Sequence, residues 1–285
     1  MELKLWEHDI PYLTEGTETP NTLHTYLIPT DKPLPCVIVF GGGAYRRRSL
    51  HESEPYAQCF NSYGIQAVTV DYRVSPNRFP AGLADAQRAE AVGVARRDQL
   101  GVGHNDEGVC ALDVVHRAAD GHLNVGGQQA VLGQQAGGHL AASALLYDDV
   151  TMPAGHTPDA TDAESARPNG AILCYPVISV GPEFGHVGSG MELLGKERYE
   201  AEHGAFDLQH KVTDATPPVF LWHTSDDSCV NVKNSLVFCE SLRDHGVPFE
   251  LHIYPHGPHG LALAEDREDI RAWSGLAADW VLRNI

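Results

Sequence analysis

Four stretches of the sequence hold residues that could take part in chemistry, and each directly follows an apolar run. In chain order they are the glycines at 41–43, the segment GQQAGG at 133–138, the acids Asp226 and Asp227, and the histidines His256 and His259. A carboxylate that orients an imidazole makes it a general base, and acyl-transfer chemistry uses this combination. Each stretch alone has an ordinary explanation as a turn or a solvated loop, but chance alone rarely produces all four in this order, each directly after an apolar run.

The segment VLGQQAGGHLAAS at 131–143 is the most informative of the four. A short apolar strand enters a glycine-flanked corner and continues as a helix of small residues. Gly133 and Gly137 relieve crowding at such a sharp turn. The residue at the corner is Gln135. Because a carboxamide is not nucleophilic, the corner lacks the hydroxyl or thiol that covalent acyl transfer requires.

Strand and helix patterns alternate along the chain, and together they must position these residues. Apolar or β-branched runs predict strands at 23–29, 36–40, 65–72, 130–133, 170–177, 218–224 and 249–255. Helical segments are predicted between them, at 52–62, 80–90, 111–119, 138–146, 232–245 and 268–284. Continuous apolar strands are typical of a parallel sheet that is covered on both faces. We therefore predict an α/β fold, a doubly wound and mostly parallel sheet whose carboxyl-end edge carries the four stretches.

A single α/β domain over residues 1–285 is the domain organisation that this alternation predicts. A glycine-rich segment of mixed charge predicts a surface insertion near 90–110. A second segment at 148–168, rich in Pro, Asp, Thr and Ala, predicts a loop that is either a lid or surface decoration. Small cap elements could lie at 181–210.

Composition limits the partners and the compartment. The chain has 20 Lys and Arg against 38 Asp and Glu, a net charge of −18, which argues against binding nucleic acid or an anionic membrane. No apolar run is long enough to span a bilayer, and the N-terminal sequence MELKLWEHDIPYL lacks the apolar stretch of a signal peptide. The six cysteines are scattered without a C-x-x-C pair. These features predict a cytoplasmic protein with reduced cysteines, and they leave its oligomeric state open.

Several longer motifs resemble those of a known family. They are VIVFGGGAY at 37–45, HESEPYA at 51–57, FNSYG at 60–64, DYRVSPNRFPAGLADAQRA at 71–89, VLGQQAGGHLAAS at 131–143, ILCYPVIS at 172–179, FLWHTSDDSCVNVKNSL at 220–236 and PFELHIYPHGPHGLALA at 248–264. Over nearly the whole chain, the sequence resembles the α/β-hydrolases, and most of all the small esterase/lipase-like proteins that include acetyl-ester and feruloyl-ester carbohydrate esterases. The resemblance implies a serine, an acid and a histidine in that chain order. It also implies no metal or organic cofactor, and a small-molecule ester or an acylated sugar as the substrate.

The resemblance assigns the acid and the base to specific positions. His259 falls on the histidine of the G-x-H-G ending and is the expected general base, whereas His256 is the rival, for which a structural role is expected. Asp227 is the better candidate for the acid that orients the imidazole, because it follows His223 at the H-x-x-x-D spacing. Asp226 is the fallback.

The oxyanion hole is expected to use backbone N–H groups. The donors that the resemblance implies are those of Ala136, directly after the corner, and of Gly42 or Gly43. Tyr45 and Arg73 flank this region, and pocket, core and surface roles are equally open for them.

The match departs from the family at the nucleophile, because Gln135 stands where the resemblance implies a serine. Ser143 lies about two helical turns further on and is expected to face away. Glutamine is longer than serine, so its amide should reach into the volume meant for the acyl carbon. Three interpretations stay open. The chain is an esterase-lineage protein with weak or absent hydrolysis, a non-catalytic small-molecule-binding protein, or an active esterase whose coding sequence is altered around 90–135.

Overall fold

An eight-stranded sheet is the centre of the fold. The computed structural model describes residues 1–17, 19–30, 34–95, 128–164 and 166–285. Within these ranges the strands are β1 (Glu2–Lys4), β2 (Thr22–Tyr26), β3 (Cys36–Phe40), β4 (Gln66–Val70), β5 (Gln129–Gln134), β6 (Gly170–Cys174), β7 (Val219–Thr224) and β8 (Phe249–Tyr254). Their spatial order is β1-β2-β4-β3-β5-β6-β7-β8.

The sheet is mostly parallel. The β1–β2 and β2–β4 pairs are antiparallel, and every pair from β4 across to β8 is parallel. Crossovers in both directions from β3 make the sheet doubly wound, so the predicted fold class is confirmed. The register sets Phe40 opposite Gly133 and Cys174 opposite Trp222. The ends of these strands therefore meet at one edge of the sheet.

Helices cover both faces of this sheet. They are α1 (Glu54–Ser62), α2 (Ala81–Ala95), α3 (Gln135–Leu146), α4 (Val187–Leu194), α5 (Lys196–Glu202), α6 (Lys233–Asp244) and α7 (Trp273–Asn284). Neighbouring residues of a strand lie in different cores. Val37 and Ile38 of β3 belong to different buried clusters, and so do Leu132 and Val131 of β5. Because both faces are covered, β3 to β7 are buried along their whole length.

The elements differ from the predicted ones mainly at their ends. Helix α2 continues to Ala95 because Val92 and Val94 extend its buried side. The predicted insertion near 90–110 therefore begins inside a helix. From residue 96 onward it lies outside the described residues, as does the helix predicted at 111–119.

The segments predicted as a loop and as cap elements both contain short helices. In the loop at 148–168, a three-residue-per-turn helix spans Ala160–Ala163. The buried Arg88 of α2 forms ion pairs with Asp159 and Asp162, which hold this loop against α2. Residues 181–210 contain α4, α5 and two further short turns. Among the described residues, no helix is both long enough and apolar enough to cross a membrane.

Candidate active site

The corner after β5 is a tight strand-to-helix turn. Strand β5 ends at Gln134 and α3 begins at Gln135, whose φ is 52°. A left-handed conformation at a residue other than glycine costs about 1–3 kcal/mol and persists only where its surroundings hold it. A Cβ added to Gly133 would lie 2.0 Å from the carbonyl oxygen of Gly137, and one added to Gly137 would lie 2.1 Å from the carbonyl oxygen of Phe40. The turn therefore requires both flanking glycines.

Asp227 and His259 are in direct contact beyond the ends of β7 and β8. The Nδ1 atom of His259 lies 2.6 Å from Oδ2 of Asp227, and the Asp227 side chain has no exposed surface. The other carboxylate oxygen accepts the backbone N–H groups of Cys229 at 2.8 Å and Val230 at 2.9 Å. These bonds fix the carboxylate, and the carboxylate in turn fixes the imidazole.

His223 is a second imidazole partner of this acid, and the sequence analysis used it only as a spacing marker. Its Nε2 donates to the carbonyl oxygen of Val230 at 3.0 Å and lies 3.4 Å from Oδ2 of Asp227. Burial raises the pKa of Asp227, but hydrogen bonds from His223, His259 and the Val230 N–H group outweigh burial and hold that pKa well below its usual range. The acid is therefore ionised throughout the neutral range.

Asp226 and His256 form a separate pair. Oδ2 of Asp226 lies 2.9 Å from Nδ1 of His256, and Oδ1 accepts the N–H group of Gly257 at 2.8 Å. The His256 side chain is 80% exposed and that of Asp226 is 50% exposed. The structure thus directs the fallback acid and the rival histidine away from His259.

The second ring nitrogen of His259 is unengaged. In the neutral imidazole that donates Nδ1–H to Asp227, the lone pair is on Nε2, and this buried atom has no hydrogen-bond partner among the described residues. A Cβ added to the next residue, Gly260, would lie 3.5 Å from the side-chain nitrogen of Gln135. The Gln135 amide therefore lies beside the segment that carries the candidate base.

The glycine loop after β3 borders the corner from the other side. Its carbonyl oxygens are engaged: that of Gly41 accepts the Tyr72 hydroxyl at 2.6 Å, and that of Gly42 accepts the Ser49 N–H group at 2.8 Å. No hydrogen bond within the described residues uses the N–H group of Gly42 or Gly43. A Cβ on Gly42 would lie 3.2 Å from Cβ of Gln135. The loop is thus adjacent to Ala136, and an oxyanion role for the three N–H groups stays a prediction.

Tyr45 and Arg73 are core residues. The Tyr45 hydroxyl lies 2.9 Å from Nδ1 of His139, whose Nε2 lies 3.2 Å from the Phe206 carbonyl oxygen. Burial lowers the pKa of His139 to about 4, so this imidazole is neutral. Arg73 donates from Nε and Nη2 to the two carboxylate oxygens of buried Asp85, each at 2.8 Å. Both residues stabilise the framework around the site.

Two further residues lie at the site, each in a motif of the sequence but with no role assigned from it. Glu52 has no exposed surface, and its Oε1 accepts the Tyr175 hydroxyl at 2.7 Å. The Tyr175 ring packs edge-on against the imidazole of His259, with ring centroids 5.3 Å apart. No group of three or more His, Cys, Asp or Glu side chains in the described part of the chain is arranged to hold a metal ion.

A solved structure decides the family. The acetyl ester-xyloside bifunctional hydrolase from Caldicellulosiruptor lactoaceticus is 39% identical to this chain and superposes with a TM-score of 0.84, over 99% of this chain and 96% of its own. The chain belongs to the α/β-hydrolase superfamily. Within this α/β-hydrolase, residues 182–285 match the prolyl oligopeptidase family, and that segment carries both Asp227 and His259.

Two curated relatives of this α/β-hydrolase are longer proteins. Endo-1,4-beta-xylanase B of Butyrivibrio fibrisolvens is 32% identical over 277 residues, which are 95% of this chain and 39% of the relative. Acetylxylan esterase of Xylanibacter ruminicola is 26% identical over 227 residues, which are 78% of this chain and 40% of the relative. The chain thus spans about two fifths of the length of the curated relatives that it matches.

Proposed function

We propose that this α/β-hydrolase is a carboxylic ester hydrolase of the acylated-carbohydrate type in which Gln135 has taken the place of the nucleophile. The observation that carries the proposal is the 2.6 Å contact between His259 and Asp227, with the second ring nitrogen unpartnered among the described residues and the following residue, Gly260, beside the Gln135 amide. An imidazole held in one tautomer by a buried carboxylate can remove a proton from a nucleophile at position 135.

The expected chemistry is acyl transfer through the groups that surround residue 135. A serine there would attack the ester carbonyl while His259 accepts its proton, and the N–H groups of Ala136 and of Gly42 or Gly43 would stabilise the oxyanion. His259 would then return the proton to the leaving alcohol. With Gln135 in place there is no hydroxyl proton to remove, and the amide occupies space that the acyl group needs. We therefore infer that hydrolysis by the chain as it stands is weak or absent.

An acylated xylose-containing sugar is the substrate class that we infer. The C. lactoaceticus relative is named for acetyl-ester and xyloside hydrolysis, and the X. ruminicola relative for acetylxylan. The B. fibrisolvens relative is named as a xylanase. All three names refer to xylose-containing substrates, so acetylated xylo-oligosaccharides are the first compounds to test.

A second candidate function is binding without turnover, and Gln135 is the observation that favours it. A carboxamide in place of a nucleophile leaves the glycine loop and the pocket wall intact, so a small ester or sugar could bind without being cleaved. Binding and hydrolysis are distinguished by following both acetate release and ligand binding on the same samples.

The test uses acetylated xylo-oligosaccharides and an activated aryl acetate in parallel. We expect Gln135→Ser to release acetate from both, and the unsubstituted protein to release it from neither at a rate above the His259→Ala variant. Hydrolysis of the aryl acetate alone by Gln135→Ser would refute the sugar assignment. Failure on both compounds, with the fold intact by circular dichroism, would refute the hydrolase assignment. Tight binding of the oligosaccharide by the unsubstituted protein, with no turnover in Gln135→Ser, would favour the binding function.

A further inference from the structure

Glu52 is a carboxylate buried without a cationic partner. It ends the short turn Leu50–Glu52, directly before α1, and has no exposed surface. No lysine, arginine or histidine within the described ranges forms an ion pair with it. Taking a carboxyl group out of water without a paired charge lowers stability, so its contacts in the core need to be accounted for.

One oxygen of Glu52 holds the Tyr175 hydroxyl. Oε1 accepts that hydroxyl at 2.7 Å, so the single phenolic proton of Tyr175 is directed at Glu52. The phenolic oxygen is then free to accept. It accepts the backbone N–H of Ala262 at 3.1 Å and lies 3.3 Å from the Tyr56 hydroxyl. The carboxylate thus fixes the direction of every hydrogen bond at this phenol.

Tyr175 contacts both the imidazole of His259 and the segment that follows it. Its ring forms an edge-on contact with the imidazole at an interplanar angle of 71°, and its hydroxyl anchors the chain three residues after the imidazole, at Ala262. Both Tyr175 and Ala262 have left-handed backbones, with φ of 37° and 51°. Residues other than glycine keep this backbone conformation only where surrounding contacts impose it. The Glu52–Tyr175 hydrogen bond is such a contact.

The second oxygen of Glu52 lies beneath the glycine loop. A Cβ on Gly42 would lie 2.7 Å from Oε2 of Glu52, and Oε2 has no hydrogen-bond partner among the described residues. The same added Cβ would lie 3.2 Å from Cβ of Gln135. Glu52 therefore lies next to the glycine loop that borders the corner. Because it has no exposed surface, it is unsuited to act on a substrate directly.

We propose that Glu52 is a positioning residue, which accepts the Tyr175 hydroxyl and thereby holds the imidazole of His259 and the segment after it in the geometry for proton transfer. Asp227 holds the imidazole through Nδ1, and Glu52 holds Tyr175, whose ring packs against that imidazole. The catalytic consequence rests on the proposed function, whereas the positioning itself is measurable in the protein as it stands.

The first test is proton NMR of the unsubstituted protein. The Nδ1 proton of His259, bound to Asp227, should give a resolved low-field signal, which His259→Gln removes. Tyr175→Phe, which deletes only the hydroxyl, should broaden or shift this signal, and Glu52→Leu should do the same. Glu52→Gln should preserve it, because a carboxamide oxygen still accepts the hydroxyl. Tyr45→Phe, which removes a similarly buried hydroxyl bonded to His139, is the matched control and should leave the signal unchanged.

The second test measures kinetics in a Gln135→Ser background. Tyr175→Phe should lower kcat about tenfold or more while KM changes by less than about twofold, because misplacing the base affects the transition state more than binding. Glu52→Gln should retain most of kcat. An inactive background refutes the proposed function and leaves the NMR test to decide the positioning. If folded Tyr175→Phe and Glu52→Leu both keep the unsubstituted low-field signal, the positioning role is wrong.

Discussion

His259 contacts Asp227 through Nδ1 at 2.6 Å, and its buried Nε2 has no hydrogen-bond partner in the part of the chain that the structure describes. The next residue, Gly260, lies beside the Gln135 amide. Under the proposed function, Asp227 and His259 are the groups that move protons, with the acid ionised and the imidazole held through Nδ1. Position 135 carries an amide, which supplies no nucleophile.

The two neighbouring acids offer a matched pair of substitutions. In a Gln135→Ser background, Asp227→Asn should lower kcat by about 10²–10⁴-fold, because the amide no longer selects the imidazole tautomer or stabilises the imidazolium. Asp226→Asn should change kcat little, since that carboxylate contacts only exposed His256 and the Gly257 N–H group. Steady-state hydrolysis of an aryl acetate measures both. A larger effect from Asp226→Asn would assign the acid to the other residue.

Acid should destabilise the fold through His139. Burial lowers its folded-state pKa to about 4 from an ordinary 6.5, so between these values the unfolded chain binds a proton that the folded chain does not. The free energy of unfolding should therefore fall as the pH drops through this window, by up to about 1.4 kcal/mol per pH unit from this residue.

Urea unfolding at pH 7 and pH 5 measures this effect. His139→Gln, which can still accept from Tyr45 and donate to Phe206, should lose less stability between the two pH values than the unsubstituted protein does. Equal losses in the two proteins would show that His139 is not the group responsible.

Glycine at the corner is a steric requirement. Gly133→Ala should lower the free energy of unfolding by at least about 1–3 kcal/mol, because its Cβ would lie 2.0 Å from a backbone oxygen that cannot move without opening the turn. Gly204→Ala is the control, since nothing lies within 4 Å of its added Cβ and its φ is not left-handed. Denaturant midpoints compare the two. Similar values would mean that the turn adapts to a side chain.

The buried Arg73–Asp85 pair should be sensitive to loss of one charge. Asp85 accepts from Nε and Nη2 of Arg73 and from Nε1 of Trp6, all at 2.8 Å. Asp85→Asn leaves the guanidinium buried without a counter-charge and should cost about 3–5 kcal/mol. Glu240→Gln, at an exposed pair with Arg243, should produce no measurable change in the denaturant midpoint. A small effect of Asp85→Asn would indicate that water or a rearranged partner compensates Arg73.

Much of the fold could be predicted because local sequence and burial agree. The run at 36–40 is apolar throughout and forms β3 over the same residues, since a strand covered on both faces can have no polar side. β1 was not predicted, because Glu2–Lys4 has no apolar pattern and becomes a strand only by pairing with β2.

Some residues of the candidate site could likewise be predicted from the sequence, and others could not. Asp227 and His259 follow strands and stand in motifs, so the sequence could indicate them and their contact. Glu52 lies in the polar stretch HESE, which is typical of a surface, and its burial depends on Tyr175, which lies 123 residues away along the chain. No local pattern reports a contact at that distance.

The most direct measurement of the central claim is the rate of aryl acetate hydrolysis by Gln135→Ser relative to Gln135→Ala. Both substitutions remove the amide from the corner, and only serine supplies a hydroxyl for His259 to deprotonate. We predict that Gln135→Ser is faster by about 10² or more, and that adding His259→Ala abolishes the difference. Equal rates for the two variants, or ordinary esterase turnover by the unsubstituted protein that depends on His259, would contradict the claim that this site is a hydrolase site without its nucleophile.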